Sequence, residues 1–83
     1  MEQQEALSKV MTIIKPFVRN EEAFKSASPQ TRILEDLGVN SARLVDIVLN
    51  FEDEFGIEID DESADKVRTL GDAVEVIVSK TSH

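Results

Sequence analysis

Apolar residues recur every three or four positions in three parts of this 83-residue chain, and that spacing places them along one face of an α-helix. The first part predicts a helix over residues 3–15, because Pro16 lacks a backbone donor and should end or kink it. The apolar positions of this helix are Leu7, Val10, Met11 and Ile14.

The second part predicts a helix over residues 41–55, followed by Gly56 at a position where helix ends favour the left-handed conformation. Residues 57–59 alternate apolar and acidic, which indicates an extended segment. Val45 and Leu49 are rotated away from the core-facing side, either as a shoulder of the core or as an exposed apolar contact. The core-facing positions are Leu44, Ile47, Val48, Phe51 and Phe55.

The last part predicts a helix that begins near Thr69, because Thr69 and Asp72 have the spacing of a capping box. Residues 61–66 predict a short helix with acids at its start, and we expect the tail over residues 79–83 to fray. The apolar side of the last helix holds Ala73, Val74, Ile77 and Val78.

Residues 19–40 lack helical periodicity, so we predict a long connection with a helical turn around residues 32–36 and a tight turn at Gly38. Apolar residues should anchor this connection on the helices, namely Phe24, Ile33, Leu34 and Leu37. The pattern predicts one all-α domain over residues 1–83. We expect a small four-helix bundle with three longer helices, a short third helix and a long loop between the first and second.

The charge distribution narrows the classes of partner. The net charge is −8, and residues 35–65 alone hold eleven acidic residues and one basic residue, Arg43. A field of that sign repels nucleic acid and anionic lipid and attracts basic protein surfaces. The chain has no cysteine and no apolar run of about 18 residues, so we expect neither a thiolate site nor membrane insertion. We predict a cytoplasmic protein that binds no nucleic acid.

Ser41 stands at the start of the second predicted helix, where unpaired N–H groups and the positive end of the helix dipole stabilise a phosphate. It is either an N-cap or, if Asn40 caps, a first-turn residue with a free hydroxyl. Nucleophilic catalysis needs a base, and the only histidine is His83 at the far end of the chain. The acids of residues 60–65 lack the ligand order of a calcium loop, so we predict neither catalytic residues nor a metal site.

The residues around Ser41 resemble the prosthetic-group site of acyl carrier proteins. The resemblance implies that Ser41 bears a covalent 4′-phosphopantetheine whose thiol holds acyl groups as thioesters, in fatty-acid or polyketide-type biosynthesis. It implies a discrete, monomeric carrier that is not itself an enzyme. The matching residues are Asp36, Leu37, Gly38, Ser41, Asp46, the run 52–59, the acidic helix 61–66 and the helix start 69–74.

Three positions depart from the family pattern. Asn40 stands where aspartate is usual, Ala42 where leucine is usual and Arg43 where a polar or acidic residue is common. In the family that aspartate helps the modifying transferase to bind its metal ion, so Asn40 bears on loading. Arg43 places a positive charge beside Ser41 and alters the surface that a partner contacts. These departures indicate a specialised carrier.

The resemblance also implies the partners. They are a phosphopantetheinyl transferase and acyl-transferring, ketosynthase-type or acyl-activating enzymes with basic patches. The alternative is an unmodified acidic module that binds a basic protein, and one phosphopantetheine on Ser41 would separate the two. The predicted partner-binding residues are Asp36, Asn40, Ala42, Arg43, Val45, Asp46, Leu49, Glu52 and Asp53.

Overall fold

The computed structural model of the chain describes residues 2–81, and within that range it contains five α-helices and no β-strand. Two 3₁₀ turns, Lys15–Phe17 and Ser41–Arg43, follow the first helix and precede the third. The predicted small all-α bundle is confirmed, with its three longer helices and the short helix after the second of them, and it contains one further short helix that was not predicted. The helices are α1 (Gln3–Ile14), α2 (Glu21–Lys25), α3 (Leu44–Phe55), α4 (Asp61–Asp65) and α5 (Leu70–Thr81).

The core lies where α1, α3 and α5 pack together. Its buried helical side chains are Ala6, Val10, Ile14, Ile47, Val48, Phe51, Leu70, Ala73, Val74 and Ile77. The connecting segments add Ile33, Leu37, Val39, Ile59 and Val67. Other residues predicted for the core or as anchors are partly buried at its margin, namely Leu7, Met11, Phe24, Leu44, Phe55 and Val78.

The connection between α1 and α3 is more ordered than its sequence pattern indicates, because it contains the five-residue helix α2. Asn20 caps this helix, since its side-chain oxygen accepts from the N–H of Ala23 at 3.1 Å. Two glutamates in the first turn complement the helix dipole. A helix this short gives no periodic signal, so the expectation of an irregular segment was wrong over α2.

The helical turn predicted later in the connection is present, since the N–H of Asp36 donates to the carbonyl oxygen of Arg32 at 3.0 Å. The four-residue spacing of Ile33 and Leu37 turns both side chains into the core, where they are fully buried. The prediction that Leu34 is also an anchor was wrong. It lies on the outer side of the turn and is 36% exposed.

A second set of contacts ties the connection to the start of α5. We call residues 29–33 and 68–71 together the clasp. A Cβ atom on Gly71 would lie 2.9 Å from the carbonyl oxygen of Pro29, so only glycine allows this close approach. The clasp has three main-chain hydrogen bonds: Ile33 N to Arg68 O at 2.9 Å, Leu70 N to Thr31 O at 3.0 Å and Gly71 N to Pro29 O at 2.9 Å.

The predicted capping box at α5 is confirmed, because Thr69 Oγ1 accepts from Asp72 N and Asp72 Oδ2 accepts from Thr69 N, both at 3.1 Å. The expected fraying is wrong as far as Thr81, which remains helical and donates its hydroxyl to the carbonyl oxygen of Ile77 at 2.8 Å. Residues 82–83 of the predicted tail lie outside the described range. Among residues 2–81, no helix has the length and apolar character needed to cross a membrane.

Candidate functional site

The segment ahead of Ser41 is held in place by main-chain hydrogen bonds and a glycine turn. The carbonyl oxygen of Leu37 accepts from the two N–H groups just before α2, at 3.0 and 3.1 Å. Gly38 has a φ of +70°, as the sequence predicted, in the region that favours glycine. Val39 is buried, so Ser41 comes to the surface from an anchored piece of chain.

Asn40, rather than Ser41, caps the helix start. Its Oδ1 accepts from the N–H of Ala42 at 2.9 Å, and its carbonyl oxygen accepts from the N–H of Arg43 at 2.8 Å. Ser41 is exposed in the first turn, and among residues 2–81 its hydroxyl has no hydrogen-bond partner. Of the two sequence-based alternatives, the structure therefore supports the one that leaves the serine hydroxyl free.

The surroundings of Ser41 fit a covalently attached phosphate. The 3₁₀ turn Ser41–Arg43 runs directly into α3, so the positive end of the helix dipole is next to this hydroxyl. Within the described part of the chain, no base contacts the hydroxyl to activate it as a nucleophile. This chemistry suits a serine that another enzyme modifies. His83 lies outside the described residues.

An open groove of about 450 Å³ begins beside Ser41 and runs between α3 and α4. Apolar side chains form much of it, and acids at the start and end of α4 form its edge on that side. Sequence reasoning did not find this groove, because it depends on where α4 lies against α3. The residues lining it are Ser41, Leu44, Val45, Val48, Leu49, Glu52, Ile59, Asp61, Ala64 and Asp65.

Val45 and Leu49 are the most exposed large apolar side chains of the described residues, at 64% and 53% exposure. The interpretation of these residues as a shoulder of the core is therefore wrong. Large exposed apolar residues that lie together mark contact surfaces more often than isolated ones do. Ala42 is also exposed one turn earlier on the same outward side of the helix.

Two acids from the predicted partner-binding set are paired within the molecule. Asp36 accepts from the Arg32 side chain at 3.0 Å and from the Arg32 N–H at 2.8 Å. The Arg32 side-chain hydrogen bond is the main reason that the pKa of Asp36 is lowered. Asp46 pairs with Arg43 at 3.1 Å on the surface. These arginines reduce the local negative potential near the start of α3.

The other two predicted acids lie near the end of α3 and differ from each other. Asp53 is exposed and has no ion pair among residues 2–81. Glu52 is only half-exposed, and its Oε2 accepts from the N–H of Ile59 at 2.7 Å. Sequence reasoning missed this structural role of Glu52. The sequence signal that could have indicated this role is Gly56, whose left-handed conformation, with a φ of +63°, reverses the chain after α3.

Comparison with known proteins gives a consistent result. The family model described as "Phosphopantetheine attachment site" matches residues 18–77. The acyl carrier protein of Thermotoga maritima is 38% identical over 77 residues, which is 93% of each chain. The acyl carrier protein of a Picosynechococcus species is 43% identical over 56 residues, which is 68% of this chain and 69% of that one.

A solved structure shows the same likeness in three dimensions. The acyl carrier protein from Enterococcus faecalis matches with a TM-score of 0.79 and 41% identity, over 96% of this chain and 99% of that one. The matched family model spans the exposed serine, the groove beside it and most of the core. The chain therefore belongs to the acyl carrier proteins, which carry acyl groups on covalently attached 4′-phosphopantetheine.

Proposed function

We propose that Ser41 is the residue that carries 4′-phosphopantetheine, through a phosphodiester on its hydroxyl. The observation that carries this proposal is the capping by Asn40, which leaves the exposed Ser41 hydroxyl without a partner among residues 2–81. The bound group supplies a thiol that holds an acyl group as a thioester. The chain itself binds, orients and presents this cargo, and separate enzymes carry out the chemistry.

The helix start and the groove support two different parts of this task. The positive dipole end of the turn before α3 favours a phosphate beside Ser41. The groove beside Ser41 receives an apolar acyl chain against Leu44, Val48 and Ile59, which keeps water from it. Fatty-acid and polyketide-type cargo both suit such a groove.

The exposed side of α3 is the proposed docking surface for partner enzymes. Val45 and Leu49 give it an apolar centre, and Asp53 gives it an unpaired negative charge. Asp36 and Asp46 attract basic patches less strongly, because each has an arginine partner in the molecule. The remaining contacts of this surface are Asn40, Ala42, Arg43 and Glu52. Monomeric state, cytoplasmic location, and absence of nucleic-acid or membrane binding stay predictions.

Intact-mass measurement after incubation with coenzyme A and a broad-specificity phosphopantetheinyl transferase tests the site. We expect one phosphopantetheine on the wild type and none on Ser41→Ala. Ser63→Ala is the matched control, because Ser63 also lies in the first turn of a helix, α4, and should not affect loading. An unmodified wild type would favour the acidic interaction module, and a modified Ser41→Ala would refute the site.

A further inference from the structure

Glu52 holds the turn between α3 and α4 through both its main chain and its side chain. Its carbonyl oxygen accepts from the N–H groups of Gly56 and Ile57, the latter at 3.2 Å. Its Oε2 accepts from the N–H of Ile59 at 2.7 Å. Ile59 is buried, and in this partly buried bond the carboxylate takes the place of water as the partner of its N–H.

The helix α4 has few other attachments to α3. It is five residues long, and none of its side chains is fully buried. The cap of α4 is internal, with Asp60 Oδ1 accepting from Ser63 N at 2.9 Å. Among residues 2–81, the Ile59–Glu52 bond is the one side-chain hydrogen bond that joins α3 to residues 57–66. The segment is otherwise held by apolar packing, through Ala64 and the buried Ile59 and Val67 on either side of α4.

Both residues joined by this bond line the groove described above. Glu52 belongs to the α3 wall and Ile59 to the wall that continues into α4. Glu52 lies eleven residues after Ser41 in sequence, roughly 16 Å along the helix at 1.5 Å per residue. The bond therefore joins the two walls at the end of the groove that is remote from Ser41.

We propose that the Glu52 carboxylate is a positioning residue that holds α4 against α3 and so determines how well the groove shields an acyl chain. Glu52 acts through Ile59 rather than on the thioester. The inference rests on the proposed function, because it assumes that acyl cargo enters the groove. The inference also gives the adjacent acids Glu52 and Asp53 different roles.

Amide hydrogen exchange on the unloaded protein tests the bond independently of any cargo. In Glu52→Ala, we expect exchange at the Ile59 N–H to rise roughly tenfold to a hundredfold, as loss of a charge-assisted hydrogen bond would give. Glu52→Gln keeps an acceptor oxygen and should stay close to wild type. Asp53→Ala removes a neighbouring charge and should have no effect. Amides of Val10 and Ile77 report whether the core stays intact.

Cleavage of thioesters by hydroxylamine tests the effect on cargo. Octanoyl and acetyl groups are loaded from their coenzyme A derivatives by a broad-specificity transferase, and intact mass confirms loading before the assay. In the wild type, the octanoyl thioester should be cleaved several-fold more slowly than the acetyl thioester, each relative to its free coenzyme A thioester. Glu52→Ala should lose this difference, and Glu52→Gln should keep it.

Unchanged exchange at Ile59 in Glu52→Ala would overturn the inference, since the bond would then not hold the segment. Increased exchange with undiminished octanoyl protection would also overturn it, because the bond would not affect cargo. Equal cleavage of both thioesters on loaded wild type would instead overturn the groove as the cargo site, and with it the inference. A wild type that takes up no phosphopantetheine is recognised by its mass and refutes the proposed function.

Discussion

The clasp and the turn before α4 each tie a connecting segment to a longer helix, but they use different atoms. In the clasp, three main-chain hydrogen bonds tie residues 29–33 to residues 68–71. Before α4, the carboxylate of Glu52 makes the one side-chain hydrogen bond, among residues 2–81, from α3 to the segment that leads into the short helix. Main-chain bonds persist when most side chains change, whereas a side-chain bond is lost by one substitution.

This difference follows the division of tasks in the molecule. The clasp adjoins the packed α1 and α5, whose inner side chains are fully buried. The α3–α4 side has the groove, the exposed Val45 and Leu49 and the free hydroxyl of Ser41. We infer that the first side maintains the fold and that the second, under the proposed function, is left adjustable for cargo and partners. Four predictions test this division, from the largest expected effect to the smallest.

The largest difference in the free energy of unfolding is expected between substitutions on the two faces of α3. Phe51 is 1% exposed in the core, so Phe51→Ala should lower the free energy of unfolding by about 3–5 kcal/mol through lost burial and a cavity. Leu49→Ala on the outer face should change it by less than about 0.5 kcal/mol. Urea unfolding followed by circular dichroism measures both. A comparable loss for Leu49→Ala would mean that the outer face also maintains the fold.

The clasp should be intolerant of a side chain at Gly71. In Gly71→Val, the new Cβ would lie 2.9 Å from the Pro29 carbonyl oxygen, so we expect a loss of about 1–3 kcal/mol in unfolding free energy. Ser79→Val introduces the same residue on an exposed part of α5 and should change it by about 0.5 kcal/mol or less. Equal stabilities of the two variants would show that the clasp is not required.

Charge changes on the docking surface should affect association rather than folding. Asp53→Lys should slow association with a phosphopantetheinyl transferase several-fold at low salt, because an unpaired acid is reversed. Arg43→Gln should speed it, since Asp46 then loses its internal partner. Stopped-flow association rates at low and high salt measure both effects. If neither substitution changes the association rate at low salt, the acids form only a solvent-exposed face and do not steer association.

Acidification should lower the free energy of unfolding slightly, through one acid in the α1–α3 connection and one just before α4. Folding lowers the pKa of Asp36, chiefly through the Arg32 side-chain hydrogen bond, and that of Asp60, chiefly through a hydrogen bond with Ser63. A lowered pKa gives stability that is complete above the ordinary value of 3.8 and is lost as the pH falls through the folded-state value. We therefore expect no contribution of these groups to pH dependence between pH 7 and about 5.

Urea unfolding between pH 7 and pH 2 measures this dependence. Asp36→Asn and Asp60→Asn should each have a smaller loss of stability below about pH 4 than the wild type, because neither asparagine titrates. Lys80 contributes to the lowered pKa of Asp60 less than Ser63 does, so Lys80→Gln is a control with a smaller effect. If both asparagine variants lose as much stability at low pH as the wild type, that loss comes from other carboxylates.

The sequence was sufficient where local chemistry determines the structure. Pro16, Gly38, Gly56 and the Thr69–Asp72 pair each specify a backbone feature within a few residues, and all four were predicted correctly. Helix periodicity likewise separated the buried face of α3 from Val45 and Leu49, although only the structure showed that those two side chains are exposed.

The sequence was insufficient where structure depends on long-range main-chain contacts. The clasp is formed by N–H and carbonyl groups, which almost every residue has, so apart from Gly71 no residue pattern indicates it. The groove and the role of Glu52 depend on how the chain returns after Gly56. The free hydroxyl of Ser41 was one of two alternatives, since Asn40 and Ser41 are both good caps.

The separation along the chain of the bonded residues has a consequence for the order of folding. Glu52 and Ile59 are seven residues apart, whereas Thr31 and Leu70 in the clasp are 39 apart, because 70 − 31 = 39. Closing the longer loop costs about 1.5 kcal/mol more chain entropy, at ~0.6 kcal/mol for each doubling of length. We therefore expect α3 and its following turn to become ordered before α5 docks, and pulse-labelled hydrogen exchange should show Ile59 protected earlier than Leu70.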